Sequence, residues 1–180
     1  MALFILVLMA TAIGFSVIIM VRGGAEGASS QRARAATLES DDTDLRLKQM
    51  DTDRLEEVAL RLIERLALEV ESVERVGSNS FDIMARETRP LIGGNYLFQG
   101  IAAGDHVVDA PIVVALGDAL RALQANKAIL ITTGYFTDEA VQVATDYPIE
   151  LVGRDQFRAL LTENGLLMLL SFDQPPPSVH

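Results

Sequence analysis

Apolar positions change their spacing several times along the chain, and each change marks an element. Met1 to Val21 is apolar throughout and carries no charged side chain. At about 1.5 Å per residue such a helix covers roughly 30 Å, the hydrocarbon thickness of a bilayer. No Lys or Arg precedes the run, and it is longer than a signal-peptide core, so it reads as an anchoring span. Gly23 to Ala36 is small and polar, as a linker would be. Glu39, Asp41, Asp42 and Asp44 follow as a solvated acidic stretch, repelled by anionic headgroups. From Thr52 the spacing becomes helical: Leu55, Val58, Ala59, Leu62, Ile63 and Leu66 share one face, with Glu56, Glu57, Arg61, Glu64 and Arg65 opposite. Thr52 or Asp53 caps this helix, with Glu56 placed to close a capping box on Asp53.

Two strands are predicted next, Val70 to Val76 and Ser80 to Glu87, joined through Gly77-Ser78-Asn79. Pro90 and Gly93-Gly94 make a turn into a third strand, Asn95 to Ile101. Asp109-Ala110-Pro111 opens a helix running to about Gln124, because proline is tolerated in a first helical turn. An apolar strand from Lys127 ends in Thr132-Thr133-Gly134, and a helix starts at Phe136-Thr137. A short strand over Ile149 to Val152 and a final helix complete the order. Helix, three strands, helix, strand, helix, strand, helix is the α/β class, a mixed sheet flanked by helices. The organisation is a transmembrane helix over 1–22, a linker and acidic segment over 23–51, an α/β domain over 52–165 and a tail over 166–180.

Charge changes the picture of partners. Twenty-five acidic residues against 15 Lys and Arg give a formal net charge of −10. Phosphate binding needs clustered cations, so this balance weighs against nucleic acid as the main partner. There are no cysteines, which excludes disulfides and thiolate metal sites. Arg22, Arg32 and Arg34 flank only the C-terminal end of the apolar run, which places the domain in the cytoplasm and the N-terminus outside the inner membrane.

The segment Thr132-Thr133-Gly134-Tyr135-Phe136-Thr137, with Ala140 three residues on, then Ile149-Glu150-Leu151-Val152-Gly153 and a helix closing on Leu160-Leu161, resembles the C-terminal half of the Mrr-type restriction endonuclease-like domain. The resemblance runs over roughly Asp53 to Glu163 and implies a restriction endonuclease-like fold. In that family an Asp on one strand and a Glu or Gln on the next hold Mg²⁺, and a lysine two positions further on helps orient the attacking water. Carried over, the resemblance puts Asp82 at the first acid, Gln99 at the second, Gly100 at the intervening position and Ile101 where the lysine belongs. Only two lysines exist, Lys48 and Lys127, and neither lies in this motif. Arg86, four residues after Asp82, shares its strand face by period-two alternation and is a candidate partner of Asp82 or substitute cation. Guanidinium is a poor mimic of ammonium there.

Other chemistry is sparse. His106, with Asp105 and Asp109, fits no metal template, and Gly93-Gly94 lacks the lysine of a phosphate loop. Asp138 and Glu139 occupy the first turn after the Thr-Thr-Gly segment, so the helix caps itself. Leu166 to Leu170 is too short to span a bilayer and is either a packed final element or a partner-binding surface. Pro175, Pro176 and Pro177 favour extended geometry suited to lying along another protein. Gly14 and Ser16 permit close packing of the span.

These readings lead to an expectation of a catalytically degenerate, non-enzymatic accessory subunit. Its partners would be the lipid bilayer and other membrane proteins of a larger complex, respiratory or photosynthetic, contacted through Gly14, Ser16, Leu166 to Leu170 and Pro175 to Pro177, with no catalytic residue, cofactor or metal. The alternatives are a membrane-tethered, Mg²⁺-dependent nuclease using Asp82, Gln99 and Arg86, and a DNA-binding module that does not cut.

Overall fold

The chain divides into two units, Met1–Ala36 and Thr37–His180. The computed structural model describes residues 41–89 and 93–170, all in the second unit. The predicted span, its Gly14 and Ser16, and Pro175 to Pro177 lie outside the described residues. Among the described residues, no helix is long and apolar enough to cross a membrane.

The order of elements is α1 (Thr52–Arg65), β1 (Glu69–Arg75), β2 (Ser80–Glu87), β3 (Gly94–Ile101), β4 (Val107–Val108), α2 (Ala110–Ala122), β5 (Lys127–Thr132), β6 (Tyr135–Phe136), α3 (Asp138–Ala144), β7 (Ile149–Val152) and α4 (Arg154–Glu163), followed by a 3₁₀ turn over Leu167–Leu170. A five-stranded sheet runs β1-β2-β3-β5-β7. β1, β2 and β3 pair antiparallel, while β3, β5 and β7 pair parallel, so the sheet is mixed as expected. β4 and β6 form a separate parallel pair that the hydrophobic pattern did not predict. Each is only two residues long, too short to leave a period.

Two apolar layers sandwich the sheet. On one face, Leu55, Val58, Leu62 and Ile63 of α1 and Phe157 and Leu161 of α4 pack on Phe81, Ile83, Ala85, Phe98 and Ile131. On the other, Val113, Leu116 and Leu120 of α2 and Ala140 and Ala144 of α3 pack on Leu97, Ile101, Ala128 and Leu130. Full burial of each Leu, Ile or Phe contributes about 1.5–3 kcal/mol before entropy is counted. β2 shows the alternation plainly: Phe81, Ile83 and Ala85 are buried on the α1 face, and Asp82, Met84 and Arg86 alternate to the other.

Four expectations change at the domain's margins. Asp51, rather than Thr52 or Asp53, caps α1, its carboxylate accepting from the Arg54 amide at 2.8 Å. Thr52 donates to Ser78 O, and Asp53 and Glu56 are occupied by Arg75. Phe136 belongs to β6, and α3 begins only after Thr137, whose hydroxyl accepts from the Ala140 amide at 3.1 Å. Residues 41–48, within the stretch read as linker and acidic segment, are helical, and Leu47 is fully buried in the α1 layer.

Leu166 and Leu170 do not offer a partner surface. Both are buried in the α1 layer, with Leu167 and Leu169 packed against it. Arg54 and Arg46 donate to the carbonyls of Leu169 and Leu170. Apolar side chains that reach a core bury there instead of waiting for a partner. Met168 alone of the five stays open, at 75% exposure.

Candidate active site

The pleat of β2 and β3 assembles the site. Asp82 stands directly opposite Gln99 in the antiparallel register, and Phe81 opposite Gly100. A Cβ on Gly100 would sit 2.1 Å from Phe81 Cζ, so the ring lies over bare backbone. Glycine between Gln99 and Ile101 therefore serves the α1 layer, while Gln99 and Ile101 point to the opposite face with Asp82. Gln99 Nε2 donates to Asp82 Oδ1 at 2.9 Å. This bond orients the carboxylate and leaves the amide oxygen of Gln99 unused by it.

Asp82 is half-buried. Burial, the largest influence, pushes its carboxyl above the usual carboxylate value. The Gln99 hydrogen bond opposes this, and the negative charge of Glu74 adds to it. Glu74 is the register partner of Asp82 on β1. Glu74, Asp82 and Gln99 thus form one row across three strands.

Ile101 is 6% exposed and sits in the layer with Val108, Val113 and Leu130. It is held by a backbone clasp, with the Thr132 hydroxyl and the Thr133 amide both donating to its carbonyl, at 3.1 and 3.2 Å. Arg86 does not pair with Asp82. Its guanidinium bonds Glu71 at 2.6 Å and Asn95 Oδ1 at 3.3 Å, and its own register partner is Asn95, at the far end of β3 from Ile101. Four residues of strand, at about 3.3 Å each, carry it away from Asp82.

Of the remaining candidates, Asp105 pairs with Lys48 at 2.6 Å, which together with the ammonium's charge holds its carboxyl below the usual range. Asp109 precedes α2 without making a side-chain cap. Among the described residues, no group of three or more His, Asp or Glu could hold a metal, so His106, Asp105 and Asp109 do not converge.

A second polar cluster was missed in the sequence. Arg154, 6% exposed, opens α4, its Nε donating to Thr133 O at 2.6 Å and its Nη2 to Gly104 O. Its guanidinium lies 4.7 Å from the Tyr135 ring centroid, and its amide donates to Gly134 O at 3.0 Å. Thr133 Oγ1 accepts from the Gly104 amide at 3.0 Å, and a Cβ on Gly134 would meet His106 O at 2.3 Å. The Thr-Thr-Gly turn is therefore a lock between the loop after β3 and the start of α4. A cation in a helix's first turn opposes the macrodipole, and that anomaly was the available signal.

A family model described as restriction endonuclease, the Mrr_cat type, matches residues 47–161, well over half of the chain. The chain belongs to the restriction endonuclease family. Its structure is similar to that of the DNA modification-dependent restriction endonuclease AspBHI, with a TM-score of 0.53 and 16% identity over 87% of this chain and 42% of that one. The MspJI restriction endonuclease, in complex with a 27-mer oligonucleotide, aligns over 91% of this chain and 41% of its own length, with a TM-score of 0.39 and 16% identity. The chain thus spans less than half the length of both endonucleases. No curated protein matches in sequence.

Membership in this family overturns the expectation of a protein that is not an enzyme. That expectation rested on Ile101 at the lysine position, on the lack of a substitute cation and on the acidic net charge, whereas the family match runs over residues 47–161. A carboxylate on Asp82 and the amide oxygen of Gln99 are hard oxygen donors, the chemistry that suits Mg²⁺.

Proposed function

We propose that the chain is a divalent-metal-dependent nuclease acting on DNA phosphodiester bonds, tethered to a membrane by residues 1–21. The observation that carries the reading is the Asp82–Gln99 pair, opposed on β2 and β3 and hydrogen-bonded at 2.9 Å, at the two positions the family uses for metal. Asp82 and Gln99 would hold Mg²⁺, which when bound lowers the pKa of a water and neutralises charge on the phosphate. Gln99 fixes the carboxylate's orientation through its amide hydrogens. Ile101 and its apolar neighbours keep bulk water from that side of the row, but supply no proton donor to orient the attacking water. Turnover is accordingly expected to be slow.

The uncharged run from Met1 to Val21 supports the tether. The net charge of −10 argues against tight, sequence-independent DNA binding, so metal-mediated contact with phosphate is the favoured mode of engagement. AspBHI is DNA modification-dependent, which makes modified DNA a substrate to include. The test is cleavage of unmodified and modified DNA duplexes by the full chain in detergent, with Mg²⁺ or Mn²⁺. Metal-dependent cutting that is lost in Asp82→Asn is expected. No cutting of any duplex with either metal would sink the proposal.

A further inference from the structure

Glu74 is exposed on the edge strand β1, in the row that holds Asp82 and Gln99. It stands directly opposite Asp82, so the two carboxylates leave the same face of the sheet. Like charges directly opposite on paired strands are destabilising. Neighbouring acids are paired: Glu71 of β1 with Arg86 at 2.6 Å, and Glu56 and Asp53 of α1 with Arg75. Among the described residues no cation approaches Glu74, and its negative charge falls on Asp82. Gln99, on the other side of Asp82, gives it one hydrogen bond but no positive charge.

We propose that Glu74 is a ligand of the divalent cation at this site, supplying the second carboxylate that Gln99 does not. The inference rests on the nuclease reading of Asp82 and Gln99. A hard cation gains most from anionic oxygen, and one carboxylate with one amide is a weak donor set for it. Two carboxylates in the row match its charge of +2. The same cation converts the repulsion between Glu74 and Asp82 into attraction. Glu74 is exposed on an edge strand, so its replacement disturbs no packing.

Mn²⁺ binding to the full chain is measured by isothermal titration calorimetry, together with thermal unfolding with and without Mn²⁺. Glu74→Gln is expected to weaken Mn²⁺ binding by about tenfold and to reduce the cation-induced rise in Tm. Glu71→Gln, which removes the same charge from the same strand, leaves both unchanged. In the absence of metal, Glu74→Gln is expected to unfold at or above the wild-type temperature, which excludes misfolding as the cause. If Glu74→Gln binds Mn²⁺ as wild type does while Asp82→Asn does not, Glu74 is no ligand and the nuclease reading stands. If wild type itself binds no Mn²⁺, the nuclease reading falls and this inference falls with it.

Discussion

Two polar regions of this domain are built on opposite principles. Around Arg154 a buried cation meets carbonyls and an aromatic face: Thr133 O, Gly104 O and the Tyr135 ring each take part of its charge. Around Asp82 a half-buried carboxylate has an amide on one side, a second carboxylate on the other and an isoleucine where a cation would complete it. The first region is electrostatically closed and holds three segments together. The second is left open: burial pushes its carboxyl up, and Glu74 adds to that push. Satisfied polar groups stabilise a fold, whereas an unbalanced charge retained near a sheet's centre is a feature of sites that bind something.

Breaking the closed region is expected to have the largest effect. Arg154→Ala strips donors from two backbone carbonyls and should lower stability by about 3 kcal/mol. Arg154→Lys, which keeps the charge but loses the fork, should recover only part of it. Urea unfolding of the three proteins checks this. Equal stabilities would mean that the lock adds nothing to the fold.

Completing the open region sharpens the comparison. Ile101→Lys places an ammonium on the sheet face of Asp82 and Gln99 at the family's lysine position. Taking a charge into the α2 layer should cost about 2 kcal/mol. Metal-dependent cleavage should nonetheless rise by about tenfold or more, since a positioned proton donor is regained. A gel assay at matched folded fraction reads the outcome. Loss of cleavage would show that the apolar side chain, and not the missing cation, suits the site.

The smallest effect concerns pH. Because the folded protein holds the Asp82 carboxyl above its unfolded value, ionisation opposes folding. This destabilisation is absent below about pH 4, where the unfolded group is protonated too, and is complete above the raised folded value. Asp82→Asn should therefore raise Tm slightly at pH 7 and lose that advantage as the pH falls toward 4. Melting curves across this range check the sign, and an advantage that grew on acidification would contradict it.

Local pattern carried most of the scaffold. Ser80–Glu87 and Ile149–Val152 were legible to the residue, because period-two alternation and flanking turn residues are properties of the strand itself. The family resemblance put Asp82 and Gln99 on successive strands, but their hydrogen bond across β2 and β3 was not legible, and Arg86 was the partner the sequence offered instead. Residues 41–48 were not: their acidic side chains hide a helix whose stability comes from Leu47 reaching the α1 layer. The leucines at 166–170 were ambiguous for the same reason, since apolar residues read alike whether they cover a core or await a partner.

What the sequence determined by itself, then, is the α/β order of the elements and the isoleucine at position 101, because each is read from residues within a short stretch of chain. Only the tertiary structure decided that Arg86 is committed to Glu71 and not Asp82, that Arg154 locks the Thr-Thr-Gly turn, and that Glu74 faces Asp82. Strand register sets these pairings, and register comes from which residues reach a common core across the sheet.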